Sequence, residues 1–212
     1  MKNNIFPNLS ELFNGLMNTK FTHTEQDASY AVEIDGDCMT IAFEWSNGAT
    51  DWKNNLDFPA KPYRNMESRW YCHRGFLRVW KAVEPRLRHH IMNPAIKHIL
   101  ITGYSHGAAL ALLCHEYCRY HRLDCFVVGF GFGGPRVIWG PMSDVLRFRL
   151  KRFYVVRNKG DVVTHLPPAI FGFRHAPGMV EIGQARRYNS VDAHRQDAYI
   201  AELEREEAEQ YV

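Results

Sequence analysis

The amino-acid sequence predicts an α/β fold in which helices flank a mostly parallel central sheet. The order strand, turn, helix, strand runs from Ile96 to Phe130, and this order typically forms a βαβ unit with parallel strands. A further strand at 153–157 precedes a polar turn and adds a neighbour to the same sheet. The composition, 46% hydrophobic and 23% charged residues, is typical of a globular protein. With 212 residues and no internal repeat, residues 1–212 are expected to form a single domain.

The first third of the chain predicts a helix, a hairpin and a polar loop. Apolar residues recur every three or four positions between Leu9 and Met17, which predicts a short helix. Two apolar and β-branched runs, at 30–34 and 39–43, flank an Asp-Gly-Asp turn and predict a hairpin. Residues 51–69 are polar and contain two prolines, so we expect a loop there.

Helices are predicted around the strands of the rest of the chain. Residues 76–92 carry apolar side chains at helical spacing, although Pro85 is expected to kink or split this helix. A second helix, rich in alanine, is predicted from Gly107 to about His121, inside the βαβ unit. A helix from about Ala193 to Glu209 completes the predicted elements.

Several features of the sequence bear on cellular location. No apolar run approaches the roughly 18 residues that cross a bilayer. The first residues, Met1 to Pro7, are mostly polar where a secretory signal would carry an apolar stretch. Five cysteines at irregular spacing favour reduced thiols over a disulfide framework. Together these features predict a cytoplasmic location.

The charge pattern bears on binding partners. The net charge is +3, but residues 201–212 are acidic and the remainder is basic. No zinc-finger, RNP or helix-turn-helix pattern accompanies the basic body, so a nucleic-acid partner is not expected and stays a minor alternative. Six cations cluster within thirteen positions, and they are Arg147, Arg149, Lys151, Arg152, Arg157 and Lys159. We interpret this cluster as a solvated face, with peripheral contact to an anionic lipid surface as the alternative.

A nucleophile motif lies between the first βαβ strand and its helix. Residues 103–107 read Gly-Tyr-Ser-His-Gly, which is a Gly-x-Ser-x-Gly pentapeptide in the required strand-to-helix context. The glycines remove side chains that would block the approach of strand and helix. Backbone N–H groups at the helix N-terminus favour a developing oxyanion. The pattern therefore predicts Ser105 as a catalytic nucleophile.

A serine nucleophile needs a histidine base and a carboxylate that orients it. In proteins with this elbow the acid and then the histidine follow the serine along the chain. Asp161 follows the strand at 153–157 and fits the acid, whereas Asp192 lies too close in sequence to His194 to orient it well. Of the later histidines, His165, His175 and His194, we favour His194 because it lies at the start of the last predicted helix.

A metal site is the alternative use of the residues on the alanine-rich helix. Cys114, Cys118 and His121 share one helix face, a spacing that could bind zinc. A single straight helix rarely supplies a whole tetrahedral set of ligands, and no second cluster accompanies it. We therefore expect buried thiols and no metal.

The sequence resembles the class 3 lipases of the α/β-hydrolase superfamily from about Ile41 to Tyr199. The motifs that carry the resemblance are Phe43-Glu44-Trp45-Ser46 with Asp51-Trp52, His73-Arg74-Gly75-Phe76, Gly103 to Ala111, Phe132 to Val137, Val155 to Pro168, and His194 with Tyr199. An ordered set of motifs is far more specific than one pentapeptide.

This resemblance implies an α/β-hydrolase fold and a triad of Ser105, Asp161 and His194. It also implies that the backbone N–H of His106 and groups on Ser46 stabilise the oxyanion. The expected function is that of a serine carboxylic-ester hydrolase that cleaves acylglycerol or other lipid esters through an acyl-enzyme, as a lipase or carboxylesterase. A phospholipase and an esterase that acts on small esters are the alternatives within this class. No metal or organic cofactor is expected.

The segment before Ser46 departs from the family pattern. Glu44 and Trp45 occupy positions where the family carries Arg and Gly. This departure favours the alternative hypothesis, a lipase-like interaction protein without catalytic activity.

Overall fold

A seven-stranded sheet forms the centre of the protein. The structure is a computed structural model that describes residues 8–23, 29–45, 60–63, 69–184 and 188–210. The strands of this sheet, in spatial order, are β1 (Thr22–His23), β2 (Ser29–Asp35), β3 (Cys38–Phe43), β6 (His98–Tyr104), β7 (Phe126–Phe132), β9 (Phe153–Asn158) and β11 (Gly178–Ile182). Strands β3, β6, β7, β9 and β11 are parallel, while β1 and β2 are antiparallel to their neighbours. The predicted mostly parallel α/β fold is confirmed.

A smaller sheet of four strands lies beside the central one. It contains β10 (Phe173–Arg174), β8 (Ile138–Trp139), β5 (Trp70–His73) and β4 (Ala60–Tyr63), in that spatial order and with antiparallel pairing. Strand β4 falls inside the segment for which the sequence predicted a loop, because its four residues find a partner in β5.

Five helices complete the described part of the chain. They are α1 (Leu9–Met17), α2 (Arg74–Ile91), α3 (His106–His121), α4 (Asp144–Arg149) and α5 (Gln196–Gln210). The core divides into two clusters, one containing α2 and α3 and the other containing α1 and α5. Alternate residues of β7 serve both clusters, since Val127 belongs to the first and Phe130 to the second. The sheet is therefore buried on both faces, as parallel sheets usually are.

Two helices differ from the sequence prediction. Pro85 lies inside α2 without splitting it, since the apolar face of the helix is buried on both sides of the proline through Trp80, Val83, Leu87 and Ile91. The last helix begins at Gln196 rather than at Ala193, because Asp192–His194 form a separate 3₁₀ turn.

The remaining sequence predictions concern the cysteines, a metal site and membrane-spanning helices. Four cysteines are buried and Cys38, at the hairpin turn, is exposed, and none of the five forms a disulfide. Cys114 and Cys118 face the core as expected, and the described residues contain no metal-binding cluster. No described helix has the length and hydropathy needed to cross a membrane.

Candidate active site

The nucleophile motif forms a sharp turn at the carboxyl end of β6. Ser105 has φ 56° and ψ −118°, and it is the one described residue other than glycine with a positive φ. A Cβ atom on Gly103 would come within 2.3 Å of the Gly107 carbonyl oxygen, and one on Gly107 within 2.4 Å of the Phe43 carbonyl oxygen. Only glycine fits at both positions, so the two glycines permit the approach of strand and helix that holds Ser105 in its strained conformation.

Three side chains that are far apart in sequence converge at this turn. His194 Nε2 lies 2.9 Å from Ser105 Oγ, and His194 Nδ1 lies 2.8 Å from Asp161 Oδ2. Ser105 is 3% exposed and Asp161 is completely buried. The imidazole therefore bridges a hydroxyl and a carboxylate, an arrangement that can take a proton from the hydroxyl while the carboxylate stabilises the imidazolium.

The carboxylate of Asp161 has further hydrogen-bond donors. Tyr199 donates its hydroxyl proton to Asp161 Oδ2 at 2.7 Å, and the Val163 backbone N–H donates to Oδ1 at 2.8 Å. Burial and the nearby Asp161 raise the pKa of Tyr199 well above its ordinary value, so this phenol remains a donor. The phenol oxygen in turn accepts from the Asn158 backbone N–H at 3.1 Å. These bonds offset the cost of burying a carboxylate and fix its orientation.

The 3₁₀ turn that carries His194 is attached to the sheet. Asn158 donates through Nδ2 to the Ala193 carbonyl oxygen at 3.0 Å, and the Tyr104 hydroxyl donates to the carbonyl of His194 itself. The rings of Tyr104 and His194 stack with their centroids 5.1 Å apart. Burial, with Asp161 and Asp197 contributing, raises the pKa of Tyr104, which keeps its donor proton. The imidazole is thus held from both its backbone and its ring.

The supporting roles of Tyr104 and Tyr199 were not predicted from the sequence. Tyr104 lies inside the nucleophile pentapeptide, and Tyr199 belongs to a motif that the resemblance used only for recognition. For Tyr104 the available signal was its position, because a residue next to the nucleophile at a strand end lies where another segment can close over that end.

The other candidates for the base and the acid lie elsewhere. His175 bonds the Thr164 carbonyl oxygen at 2.7 Å, and burial lowers its pKa to about 4, so it remains neutral. Burial and the charges of Arg157 and Arg136 likewise lower the pKa of His165. Asp192 is exposed on the turn, and the carboxylate that bonds the His194 ring is that of Asp161.

The structure describes His106, one of the two predicted oxyanion donors, but not Ser46. His106 is the first residue of α3, where backbone N–H groups point beyond the helix N-terminus. The Ser105 backbone N–H is already bonded to the Phe132 carbonyl oxygen at 2.8 Å. Ser46 lies outside the described residues, as do Asp51 and Trp52. Of the predicted pair, the structure therefore describes only His106 beside Ser105.

Of the two residues that depart from the family pattern, Trp45 packs beside the triad and Glu44 continues the hairpin. Glu44 continues the hairpin pairing through its backbone N–H, which donates to the Ser29 carbonyl oxygen at 3.0 Å. The Trp45 ring contacts that of Tyr104, with centroids 6.2 Å apart, and that of Phe21 at 6.0 Å. Trp45 therefore lies against the tyrosine that bonds the His194 carbonyl.

The cluster of six cations seen in the sequence does not form one surface. Arg149 is buried and lies 3.0 Å from the Glu116 carboxylate, while Arg157 pairs with Glu181. The guanidinium of Arg152 covers the Phe126 ring at 4.4 Å from its centroid. The concentration of charge in the sequence is therefore divided among separate contacts.

Comparison with known proteins identifies the family of this chain. Residues 40–171 match the family described as Lipase (class 3). The chain belongs to the class 3 lipase family. A secreted mono- and diacylglycerol lipase 1 of Fusarium solani is 26% identical to it over 142 residues, which cover 65% of this chain and 41% of that protein. A lipase of Rhizomucor miehei is 31% identical over 144 residues, covering 64% and 39%. This class 3 lipase family member thus spans about two fifths of the length of these two relatives.

Solved structures support the fold of this class 3 lipase family member. The structure of Rhizomucor miehei triacylglyceride lipase matches 82% of this chain and 77% of that one with a TM-score of 0.67 and 22% identity. The mono- and diacylglycerol lipase of Aspergillus oryzae matches 82% and 65% with a TM-score of 0.63 and 22% identity. The predicted α/β-hydrolase fold is confirmed by these likenesses.

The predicted cytoplasmic location is wrong. Relatives from Fusarium solani and Malassezia globosa are named secreted lipases, which points to an extracellular location. The prediction depended on the lack of a long apolar run, on the polar residues from Met1 to Pro7 and on five irregularly spaced cysteines. These features do not determine the compartment of a protein. Free buried thiols, for example, pack as small apolar groups in secreted and in intracellular proteins alike.

Proposed function

We propose that this protein is a serine carboxylic-ester hydrolase that cleaves acylglycerols or related lipid esters. The observation that carries this proposal is the pair of contacts made by His194, 2.9 Å to Ser105 Oγ and 2.8 Å to Asp161 Oδ2. Such a bridge supports nucleophilic attack, because a serine hydroxyl is a weak nucleophile until a base takes its proton. Membership of the class 3 lipase family and the names of the relatives support lipid esters as the substrate class.

The proposed reaction has two halves. In the first, Ser105 Oγ attacks the ester carbonyl while His194 Nε2 accepts the hydroxyl proton, and Asp161 stabilises the resulting imidazolium. The tetrahedral oxyanion is stabilised by the His106 backbone N–H, with Ser46 as the second donor that the family resemblance implies. His194 then protonates the leaving alcohol, which leaves the acyl group on Ser105.

In the second half a water molecule takes the place of the alcohol. His194 accepts a proton from the water as its oxygen attacks the acyl-enzyme carbonyl, and the same oxyanion donors act again. Collapse of the intermediate releases the carboxylic acid and returns the proton to Ser105. Every proton in this cycle passes through His194 Nε2, so the mechanism needs no further titrating group.

We further propose that residues 1–212 act as one domain, an interpretation supported by the contacts of α1 with α5 across the second core cluster.

A fluorophosphonate probe tests the nucleophile directly. We expect the wild-type protein to be labelled, the Ser105→Ala variant to be unlabelled, and a matched Ser143→Ala variant to be labelled like the wild type. Folded wild-type protein that resists the probe would instead support the non-catalytic interaction protein.

Hydrolysis of p-nitrophenyl acetate, p-nitrophenyl palmitate and diacylglycerol then tests the substrate class. Activity on the acetate alone would contradict lipid esters as substrates.

A further inference from the structure

A phenylalanine of helix α1 packs against the tyrosines that hold the candidate triad. Phe13 is completely buried, and its ring contacts the rings of Tyr104 and Tyr199 with centroids 5.4 and 5.7 Å apart. The planes of Phe13 and Tyr104 are 81° apart, an edge-to-face arrangement that aromatic pairs favour. The rings of Tyr104 and Tyr199 also contact each other, with centroids 5.7 Å apart. Each of the three rings therefore contacts the other two, and we call this group the aromatic triangle.

Each tyrosine of the aromatic triangle bonds a different member of the triad. The Tyr104 hydroxyl donates to the His194 carbonyl oxygen, and the Tyr199 hydroxyl donates to Asp161 Oδ2 at 2.7 Å. Phe13 has no polar group of its own and contacts the triad through these two rings. A change at Phe13 therefore reaches the base and the acid by two separate hydrogen bonds.

Packing of a tyrosine ring fixes the position of its hydroxyl. The oxygen lies at the end of a rigid ring, so a shift of the ring displaces the oxygen as well. Tyr104 is 4% exposed and Tyr199 is completely buried, and a close-packed interior leaves neither ring free to move without its neighbours. Catalytic groups need to be held within about 0.5 Å of their productive geometry. The aromatic triangle is placed to supply that precision.

Helix α1 is held in place by the other end of the chain. Asn8 caps the helix by accepting from the Glu11 backbone N–H at 3.0 Å. The Ser10 backbone N–H donates to Glu207 Oε1 at 3.1 Å, which places a carboxylate of α5 at the positive end of the α1 dipole. Tyr199 belongs to the same α5. Helix α1 is thus attached to the helix whose tyrosine it packs against.

Two vertices of the aromatic triangle come from outside the segment that matches the family. Phe13 precedes residues 40–171 and Tyr199 follows them, whereas Tyr104 belongs to the nucleophile pentapeptide. The ring of Phe132, at the end of β7, contacts Phe13 as well, with centroids 4.9 Å apart. Helix α1 therefore packs at the carboxyl ends of the strands, where the triad is assembled.

We propose that Phe13 is a positioning residue, which acts through Tyr104 and Tyr199 to keep the His194 backbone and the Asp161 carboxylate in the geometry of the triad. Its effect on turnover rests on the proposed function, whereas its effect on the contact between His194 and Asp161 depends on packing alone. Because Phe13 is completely buried, it is expected to change kcat and to leave KM unchanged.

Steady-state kinetics on p-nitrophenyl acetate test the proposal with Phe13→Leu and a matched control, Leu16→Ala. Leu16 lies on the same helix and in the same core cluster, is 2% exposed, and loses as many carbon atoms as Phe13 does. We expect about a tenfold loss of kcat in Phe13→Leu and less than about a twofold loss in Leu16→Ala, since a misplacement of about 1 Å can cost about a hundredfold. Urea denaturation should show both variants folded and both destabilised.

A background without the two hydroxyls tests whether Phe13 acts through them. In the Tyr104→Phe, Tyr199→Phe double variant, adding Phe13→Leu is expected to lower kcat by less than about twofold, because contacting residues that act through one another are not additive. A further tenfold loss in this background would mean that Phe13 does not act through the tyrosines. If Phe13→Leu does not fold, Phe13→Met is measured in both backgrounds, because methionine fills irregular gaps in a core.

Proton NMR measures the same effect without turnover. The His194 Nδ1–H that contacts Asp161 is expected to resonate far downfield of the amide protons, and His194→Ala identifies this signal by its loss. We expect the signal to shift or to exchange faster in Phe13→Leu and to be unchanged in Leu16→Ala. An unchanged signal in Phe13→Leu, or equal losses of kcat in Phe13→Leu and Leu16→Ala, would overturn the proposal. Wild-type protein that is inactive but shows the expected change of this signal would contradict only the proposed function.

Discussion

Two buried polar regions lie along helix α3, one at its N-terminus and one in its middle, and they differ in their hydrogen bonds. At its N-terminus, the Asp161 carboxylate accepts hydrogen bonds from Tyr199 and Val163 and contacts the His194 ring. In the middle of the helix, His115 is completely buried, and neither ring nitrogen makes a well-aligned hydrogen bond to a described residue, although the Val127 backbone lies close enough to favour the protonated ring. The next residue, Glu116, lies 3.0 Å from Arg149 Nε, but these two atoms are not aligned for a hydrogen bond.

This difference separates the groups that we propose for catalysis from groups that we expect to affect stability. Burying a polar or charged group is costly unless hydrogen bonds replace those to water. At the triad they are replaced, so the site is both buried and oriented. In the middle of α3 they are replaced only in part, and no described contact links these side chains to Ser105. Substitutions in the first region are therefore expected to change catalysis, and substitutions in the second to change the free energy of unfolding.

The largest expected effect is that of Asp161→Asn on kcat. The amide keeps the shape of the carboxylate but cannot stabilise the imidazolium, and it favours the wrong tautomer of His194. We expect kcat on p-nitrophenyl acetate to fall by about ten-thousandfold. Circular dichroism should be unchanged, because the variant is isosteric. A loss of less than tenfold would contradict the role of Asp161.

The next effect is that of Arg149→Met on stability. The substitution removes the guanidinium that lies 3.0 Å from the buried Glu116 carboxylate, and breaking a buried pair in this way typically costs about 3 kcal/mol or more. Urea denaturation should report this loss, while kcat per folded molecule stays at the wild-type value. The matched control is Arg147→Met on the same helix, where the side chain is exposed. Equal losses in the two variants would show that the buried pair contributes nothing.

The smallest effect is the pH dependence removed by His115→Leu. Burial, with the charges of Arg119 and Arg152 contributing and the backbone of Val127 opposing, lowers the pKa of His115 from 6.5 to about 3. Between these values the unfolded chain binds a proton that the folded protein does not, so stability falls as pH decreases below 6.5.

The leucine variant lacks this linkage, which makes the comparison measurable. The difference in free energy of unfolding between this variant and the wild type should increase, in favour of the variant, by up to about 1.4 kcal/mol for each pH unit below 6.5. Urea denaturation at several pH values between 7.5 and 4.5 measures this difference. Parallel pH profiles for the two proteins would mean that His115 protonates equally in both states.

Much of the fold and the candidate triad could be predicted from sequence because their signals are local. The pentapeptide at 103–107 follows a β-branched strand and precedes a helix, and this context identifies Ser105 without any knowledge of tertiary contacts. Asp161 could be chosen because it follows a strand, since the carboxyl ends of parallel strands meet at one edge of the sheet. The structure brings these residues together with His194, and their catalytic roles remain proposals.

The features that sequence could not supply depend on which way a side chain points. Arg149 belongs to a run of cations in the sequence, but its position on α4 turns it toward Glu116 and into the core. Lys61 on β4 lies beside the first turns of α2, although this helix begins thirteen positions later in the sequence. The hydroxyl of Tyr104 reaches the His194 carbonyl only because the 3₁₀ turn folds over the end of β6. Each of these contacts is fixed by packing rather than by local pattern.

The exposed thiol at the hairpin turn has a practical consequence. Cys38 begins β3 and is paired with His98, whereas the other end of β3 pairs with Gly103 beside the nucleophile. Partial desolvation and the neighbouring Asp37 raise the pKa of Cys38, so coupling to a maleimide is best done at slightly alkaline pH. Since the other four cysteines are buried, a maleimide-coated bead or sensor chip would capture the native protein through this one atom. Every immobilised molecule would then present its reactive end to the medium, in a single orientation and without mutagenesis.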